Sequence, residues 1–454
     1  MREYPEYKPS NLPWLGDIPS HWEVWKVTHG FNRIGSGTTP KSDNPLFYDG
    51  TIPWITTSEL REDTILDTSQ RVTKEAVALH SALKVYPQGS LAIAMYGATI
   101  GRLGILGMDA TVNQACCVFS EPTVFDTRFV YYWLWMRRPV LISLSTGGGQ
   151  PNLSQDDLKK LWIPVPRIGE QRAIVRFLDY KTKQIDELIA KKQTLLDKLA
   201  EQRTALISQA VTKGLDPSVP MRNSGVDWVG EIPAHWTVPI LGYVAEVRGG
   251  VTKGRKLPNE ATVEVPYLRV ANVQDGFIDL SHVTNIEILA TELERYSLQK
   301  GDVLMNEGGD NDKLGRGAVW EGEIDPCIHQ NHVFAVRPRI PEFSDWLALL
   351  TQSGYAKFYF FTTAKQSTNL ASISSSNIKK LPVLLPPETE RREIIDHVKT
   401  SLDKLTKQRE RVIQVIERLK EYRSALITNA VTGKIDVRDF SIPTTTEQRE
   451  VAHG

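Results

Sequence analysis

Two stretches of the chain carry a hydrophobic repeat of seven residues. In the second stretch Val398, Leu405, Val412, Leu419 and Leu426 fall at strict steps of seven. In the first, Leu178, Ile185, Lys192, Leu199 and Leu206 keep the same step, with Leu188 and Leu195 filling the intermediate positions. Each stretch follows a proline exit (Pro164 and Pro166; Pro382, Pro386 and Pro387) and ends at a glycine, Gly214 or Gly433. The interior holds no proline and no glycine, so each stretch is predicted as one long helix stopped by a left-handed glycine cap. Five heptads with a continuous seam favour an antiparallel coiled coil over two helices that each lie on their own domain. A helix from about 170 to 212 would span roughly 64 Å. In that arrangement the first helix leads from one domain to the other and the second leads back. The two domains then sit at opposite ends of a rod about an approximate twofold axis.

Before each helix the pattern is different. Residues 1–167 and 215–387 hold short β-type runs such as Ile52–Thr56, Ser90–Ala94 and Val263–Tyr267, broken by glycine turns. The two halves also repeat each other. Trp14-Leu-Gly-Asp-Ile-Pro-Ser-His-Trp22 returns as Trp228-Val-Gly-Glu-Ile-Pro-Ala-His-Trp236, and Arg203-Thr-Ala-Leu-Ile-Ser-Gln-Ala-Val-Thr212 returns as Arg423-Ser-Ala-Leu-Ile-Thr-Asn-Ala-Val-Thr432. Lys159-Lys160-Leu161 matches Lys379-Lys380-Leu381 in the same way. The expected fold class is therefore α/β (α+β): two such domains joined by two long helices, as an internal tandem duplication with pseudo-twofold symmetry. The boundaries read as domain one at 1–167, helical spacer one at 168–214, domain two at 215–387, helical spacer two at 388–434, and a C-terminal tail at 435–454. Its last residues, Ser441–Gly454, either are disordered or pack near the N-terminal arm.

Composition narrows the class. The chain has 454 residues, 41% hydrophobic and 24% charged, with 54 basic against 54 acidic residues and three cysteines. Those are globular proportions without a disulfide framework, which points to a reducing cytoplasm. No apolar run is long enough to cross a membrane, and the first residues do not read as a signal peptide.

The chemistry expected of an enzyme this size is missing. No phosphate loop is present, since Gly250–Lys256 has the wrong spacing, and no methyltransferase tetrapeptide, dinucleotide fingerprint or nucleophile elbow occurs. Cys327-Ile-His329-Gln-Asn-His332 lacks a second ligand cluster, and domain one has no equivalent of it. The expectation is no catalytic residue, no metal and no cofactor in this chain.

What the two domains offer is polar loops on a shared frame. Gly35–Lys41 faces Arg248–Gly254, Gly89–Arg102 aligns with Gly301–Arg316, and Gln114 is matched with Gln330. Their side chains are of the kinds that bond base edges and phosphates. In domain one the candidates are Arg33, Thr38, Thr39, Lys41, Tyr96, Thr99, Arg102, Asn113, Gln114, Gln150 and Asn152. In domain two they are Lys253, Arg255, Lys256, Arg269, Asn272, Asn306, Lys313, Arg316, Gln330, Asn331, Lys365 and Asn369. No basic patch stands out, so a chain of this charge would bind DNA weakly alone and rely on partners for phosphate contacts.

Taken together, these features resemble the specificity subunit of type I restriction–modification systems. The opening W-x-G-x-I-P-x-H-W of each half, the K-K-L…P exit and the R-[ST]-A-L-I-[ST]-x-A-V-T helix ending carry the resemblance over nearly the whole chain. It implies a non-catalytic subunit in which each recognition domain reads one half of a split, asymmetric double-stranded DNA target. It also implies that the helices set the spacer and dock two methyltransferase subunits, with restriction (translocase) subunits joining for cleavage. S-adenosylmethionine would then belong to the methyltransferase, and ATP and magnesium to the restriction subunit. Two other readings stay open: the recognition subunit of a type II-like nuclease–methylase, and a coiled-coil adaptor that does not touch DNA.

Overall fold

A computed structural model describes residues 2–143, 152–258, 260–309, 313–340, 342–366 and 371–443. The chain forms two compact units, residues 1–191 with 414–454, and residues 192–413. Both boundaries fall inside the long helices, Ile168–Lys213 and Glu388–Val431, so each unit owns one half of each helix.

The first unit is built on a five-stranded sheet in the order Phe31–Ser36, Cys116–Pro122, Leu91–Ala94, Leu103–Leu106, Thr64–Ile65. Its pairs are antiparallel except the last. Both faces are covered, as the strand periodicity of two requires. Leu91, Ile93, Cys117 and Phe119 point into one core with Phe129, Val130 and Trp133 of helix Thr127–Ser143. Their neighbours Ala92, Ala94, Cys116 and Val118 point into a second core with Ile55 and Tyr86. The second unit repeats the plan with four strands in the order Ala245–Gly249, Val333–Pro338, Val303–Asn306, Gly317–Val319. Val303, Met305, Phe334 and Val336 meet Trp346 and Leu347 of helix Ser344–Gln352, while Leu304, Val333 and Ala335 pack beneath Leu268 and Trp320.

The long helices are 46 and 44 residues. In the first unit Leu178 and Ile185 share a core with Leu426, Ile427 and Ala430, and Arg423 pairs with Asp186 at 3.0 Å. In the second, Ile207, Ala210 and Val211 share a core with Ile394, Ile395 and Val398. The positions at steps of seven are buried at Leu178, Ile185, Leu199, Val398 and Leu426 and half-buried at Leu206, Leu405, Val412 and Leu419. The intermediate positions differ from the sequence expectation. Leu188 and Leu195 are 45% and 38% exposed, and the inward places go to Thr182, Ile189, Leu196 and Arg203 instead. A heptad seam alternates steps of three and four, and here the step after Leu178 and Ile185 is four.

The first residues of the tail pack on the N-terminal arm at Asp436 and Arg438 and on the first long helix at Phe440. Asp436 N–H donates to the Arg2 carbonyl at 2.8 Å, Arg438 lies over Tyr4, and Phe440 meets Phe177 edge-on. Residues 444–454 lie outside the described residues.

Candidate nucleic-acid interface

At one end of each sheet five backbone segments are tied together by four hydrogen bonds, three of which are matched between the units and the first of which is shifted by one residue. In the first unit Gly37 N–H donates to the Asn113 carbonyl (3.3 Å), Asn113 N–H to Ile55 (3.0 Å), Met95 N–H to Ala115 (2.8 Å) and Leu153 N–H to Met95 (2.9 Å). In the second, Val251 N–H donates to His329 (2.8 Å), Gln330 N–H to Leu268 (2.8 Å), Glu307 N–H to His332 (2.9 Å) and Ile373 N–H to Glu307 (2.8 Å). The close approach needs glycine at one place in each. A Cβ on Gly37 would stand 1.6 Å from the Val112 carbonyl oxygen, and one on Gly250 would stand 2.1 Å from that of His329.

These bonds correct one alignment. Asn113, not Gln114, occupies the place of Gln330, because each donates to the strand beside it and each follows a short parallel ladder, Val112 with Ile55 and His329 with Leu268. Matching identical letters had shifted the comparison by one residue. The same register sets Met95 against Glu307 and Ala115 against His332.

The candidate side chains sort into three groups. Several sit exposed on the converging loops. Thr39 donates to Gln114 Oε1 at 2.5 Å, Tyr96 bridges to Asn152, and Lys41, Lys253, Lys256 and Lys365 are exposed. Thr38 and Thr99 belong to the same loops, Thr38 accepting from the Trp54 indole at 3.2 Å and Thr99 donating to the Tyr96 carbonyl at 3.3 Å. Asn331 stands beside His332 at 3.4 Å.

A second group is occupied by the protein itself. Arg33 lies on the face of Tyr86 at 4.6 Å and donates to the Val85 carbonyl. Burial pushes the Tyr86 hydroxyl up to about 12, so Arg33 faces a neutral phenol. Arg255 is held by both carboxylate oxygens of Glu292, and that hydrogen bonding raises its pKa and lowers that of Glu292. Arg102 is half-buried and its backbone bonds Thr99 and Ala94, which fixes its loop but does not occupy its guanidinium. Arg269 donates its backbone N–H to Asn272, Gln330 accepts from Val270, and Arg316 reaches Gln274 at 3.4 Å. Lys313 is half-buried beside Gly309.

The third group is structural. Asn272 is 3% exposed and bonds the Asp279 and His282 carbonyls, and Asn306, 1% exposed, bonds those of Val270 and Val273. Both pin the loop at residues 270–282 through their amide N–H groups. Gln150 and Asn369 lie outside the described residues.

Sequence reasoning passed over Glu307 and weighed His332 only as a metal ligand. They meet at 2.7 Å at the rim of a cavity of about 460 Å³ that Val270, Gly308, Gly309 and Lys365 also line. The available signal was Glu307 standing directly before Gly308-Gly309, a carboxylate beside a strand without side chains. The motif Cys327-Ile-His329-Gln-Asn-His332 is not gathered around a ligand. His329 is buried with Nδ1 bonded to the Val333 carbonyl at 2.7 Å, Cys327 is buried, and His332 points to Glu307. Among the described residues no group of three or more His, Cys, Asp or Glu could hold a metal ion, and no helix is long and apolar enough to cross a membrane.

Comparison with known proteins adds the family. The family model described as type I restriction modification DNA specificity domain matches twice, at residues 19–198 and 233–418. The EcoKI specificity subunit of Escherichia coli (strain K12) is 24% identical over 437 residues, covering 92% of this chain and 90% of that protein. The MjaIX specificity subunit of Methanocaldococcus jannaschii is 22% identical over 436 residues, covering 94% and 96%. A solved chain described for complex assembly and conformational transition of the type I R-M system superposes with a TM-score of 0.68 at 16% identity, over 92% of this chain and 99% of that one. The HsdS subunit of Thermoanaerobacter tengcongensis gives 0.50 at 16% identity, over 92% and 98%. At such identities the structural likeness speaks for the fold.

Proposed function

The chain belongs to the type I restriction modification DNA specificity family, and on that premise we propose that it is the sequence-reading subunit of a type I restriction–modification complex. Each α/β domain, residues 1–167 and 215–387, reads one half of a bipartite, asymmetric duplex target. The helical stretches 168–214 and 388–434 set the spacer and dock two modification subunits. One observation carries the reading: the two units share a five-segment backbone frame but carry different residues at its matched positions, the buried Met95 and the half-buried Ala115 in one and Glu307 and His332 in the other. A conserved frame with divergent loops is what two different half-sites require, because phosphate contacts position and base contacts specify.

In this reading the chain performs no chemistry. The modification subunit supplies S-adenosylmethionine and methylates an adenine in each half-site, and a restriction subunit supplies the ATP- and magnesium-dependent steps. Among the described candidate residues the exposed lysines are few, Lys41 in one unit and Lys253, Lys256 and Lys365 in the other. Counterion release from so few contacts gives weak binding, so most of the phosphate grip comes from the partners.

The test is adenine-methylation mapping by single-molecule sequencing, in cells carrying the cognate modification subunit with and without this chain. A split, asymmetric motif present only with the chain is the expected result. An assembled, competent complex that gives no chain-dependent motif would overturn the reading in favour of an adaptor.

A further inference from the structure

The second unit has a feature that the first lacks at the equivalent backbone position. Glu307 and His332 stand where the first unit has Met95 and Ala115, so a carboxylate and an imidazole replace two groups without hydrogen-bonding capacity. His332 Nδ1 meets Glu307 Oε2 at 2.7 Å, and the Asn331 amide lies 3.4 Å from His332 Nε2. The imidazole N–H thereby fixes the carboxylate's orientation. A carboxylate has about four acceptor sites, so one bond from His332 leaves most of its accepting capacity open to the cavity it lines. Gly308 and Gly309 follow it without side chains to cover that opening.

A carboxylate at a DNA-reading end cannot approach a phosphate, since the two charges repel. Its partner on DNA must be a donor. In the major groove the donors on base edges are the exocyclic amines of adenine and cytosine, whereas guanine and thymine present a keto oxygen on the same strand. Lys365 lines the same cavity and supplies the cation that a neighbouring phosphate needs.

Building on the DNA-reading function proposed above, we infer that Glu307, oriented by His332, selects an amino-bearing base, adenine or cytosine, at one position of the half-site read by the second domain. Glu307 is a specificity residue in this sense and His332 is its positioning residue. At the matched positions of the first domain, Met95 and Ala115 offer no such carboxylate.

The experiment is the same methylation mapping, with the full chain and its cognate modification subunit, for the parent and for Glu307→Gln and His332→Asn. Every base pair presents one such amine on one of its strands, so the parent motif serves as the reference against which a change at a single position of one half-site is read. Glutamine keeps the length but adds a donor, so Glu307→Gln should admit guanine or thymine there, with discrimination falling roughly tenfold or more. The His332→Asn chain should relax the same position. The other half-site serves as an internal control and should stay intact in both variants. An unchanged motif in both variants would overturn the inference and leave the DNA-reading function standing. Loss of both half-sites in both variants would make the pair purely structural, which also overturns it. Absence of any chain-dependent motif for the parent would remove the proposed function itself.

Discussion

Trp22 donates its indole N–H to Glu170 at 3.0 Å, joining the last residue of the opening motif to the first turn of the first long helix. His21 Nε2 lies 2.9 Å from the other oxygen of the same carboxylate. The second copy repeats the arrangement with Trp236, His235 and Glu390. The recurrence of W-x-G-x-I-P-x-H-W therefore has a structural cause: its final His-Trp pair holds the start of a long helix through one carboxylate, which also suits the positive end of the helix dipole.

Replacing Glu170 with alanine leaves the buried Trp22 indole without an acceptor, which should cost roughly 1–3 kcal/mol. The Glu390→Ala change should cost less, because the Glu390 side chain is 26% exposed against 6% for Glu170 and water can replace it. Urea unfolding of the two variants checks the order.

Burial holds the His329 imidazole well below its ordinary pKa, at about 4, against the opposing effect of its bond to the Val333 carbonyl. Between roughly pH 6.5 and 4 the unfolded chain takes up the proton and the folded chain does not, so stability falls as pH is lowered through that window. Below about 4 both states carry the proton and the loss stops growing. The full window is worth on the order of 3 kcal/mol. Comparing urea midpoints at pH 7 and pH 4.5 for the parent and for His329→Asn should show that the parent loses more.

All three cysteines are buried. Burial pushes the Cys117 and Cys327 thiols up to about 12 each and raises Cys116 as well. The thiolate is the reactive form, so none should react with a thiol-specific disulfide reagent at pH 8 in the folded chain. All three should react in denaturant. Rapid labelling of the native protein would contradict the packing of Cys116 and Cys117 on the two faces of the first sheet.

The large features of this architecture are visible in the sequence because they are periodic or repeated. Steps of seven point to Leu178, Ile185, Leu199, Val398 and Leu426, and these are buried. The choice between +3 and +4 for the second seam row is another matter. Leu188 and Leu195 are matched in hydrophobicity by Ile189 and Leu196, so only the packing partners place the +4 row inward. The loop chemistry was less legible still. Arg255 looked like a phosphate contact until its partner Glu292, 37 residues away, took both of its donors. Asn272 and Asn306 looked like base readers, but they bond backbone carbonyls inside their own unit. Non-local partners decide whether a polar loop residue is free, and spacing along one chain does not record them.

Gly37→Ala and Gly250→Ala should each disrupt the frame of one unit and spare the other. A methyl group at either position overlaps a backbone carbonyl, Val112 in the first and His329 in the second. Neither clash can be relieved by turning a side chain, so the loop must move. Methylation mapping should show degraded reading of a different half-site for each variant. Identical effects from both would break the assignment of one half-site to one unit.

The seam makes a sharper prediction, because neighbouring residues should respond in opposite ways. Leu188→Lys and Leu195→Lys place a charge on exposed positions and should change stability by no more than about 0.5 kcal/mol. Ile185→Ala removes a side chain that is 5% exposed in the core shared with Leu426 and Ile427, and should cost roughly 2–5 kcal/mol. In the second helix, Leu405→Lys and Leu419→Lys bring a charge to half-buried positions and should also impair methylation if the helices set the spacer. Thermal unfolding separates the two classes, and methylation mapping separates stability from spacing. If Leu188→Lys proved as damaging as Ile185→Ala, the +4 seam through Thr182 and Ile189 would be wrong and the +3 row would be the packed one.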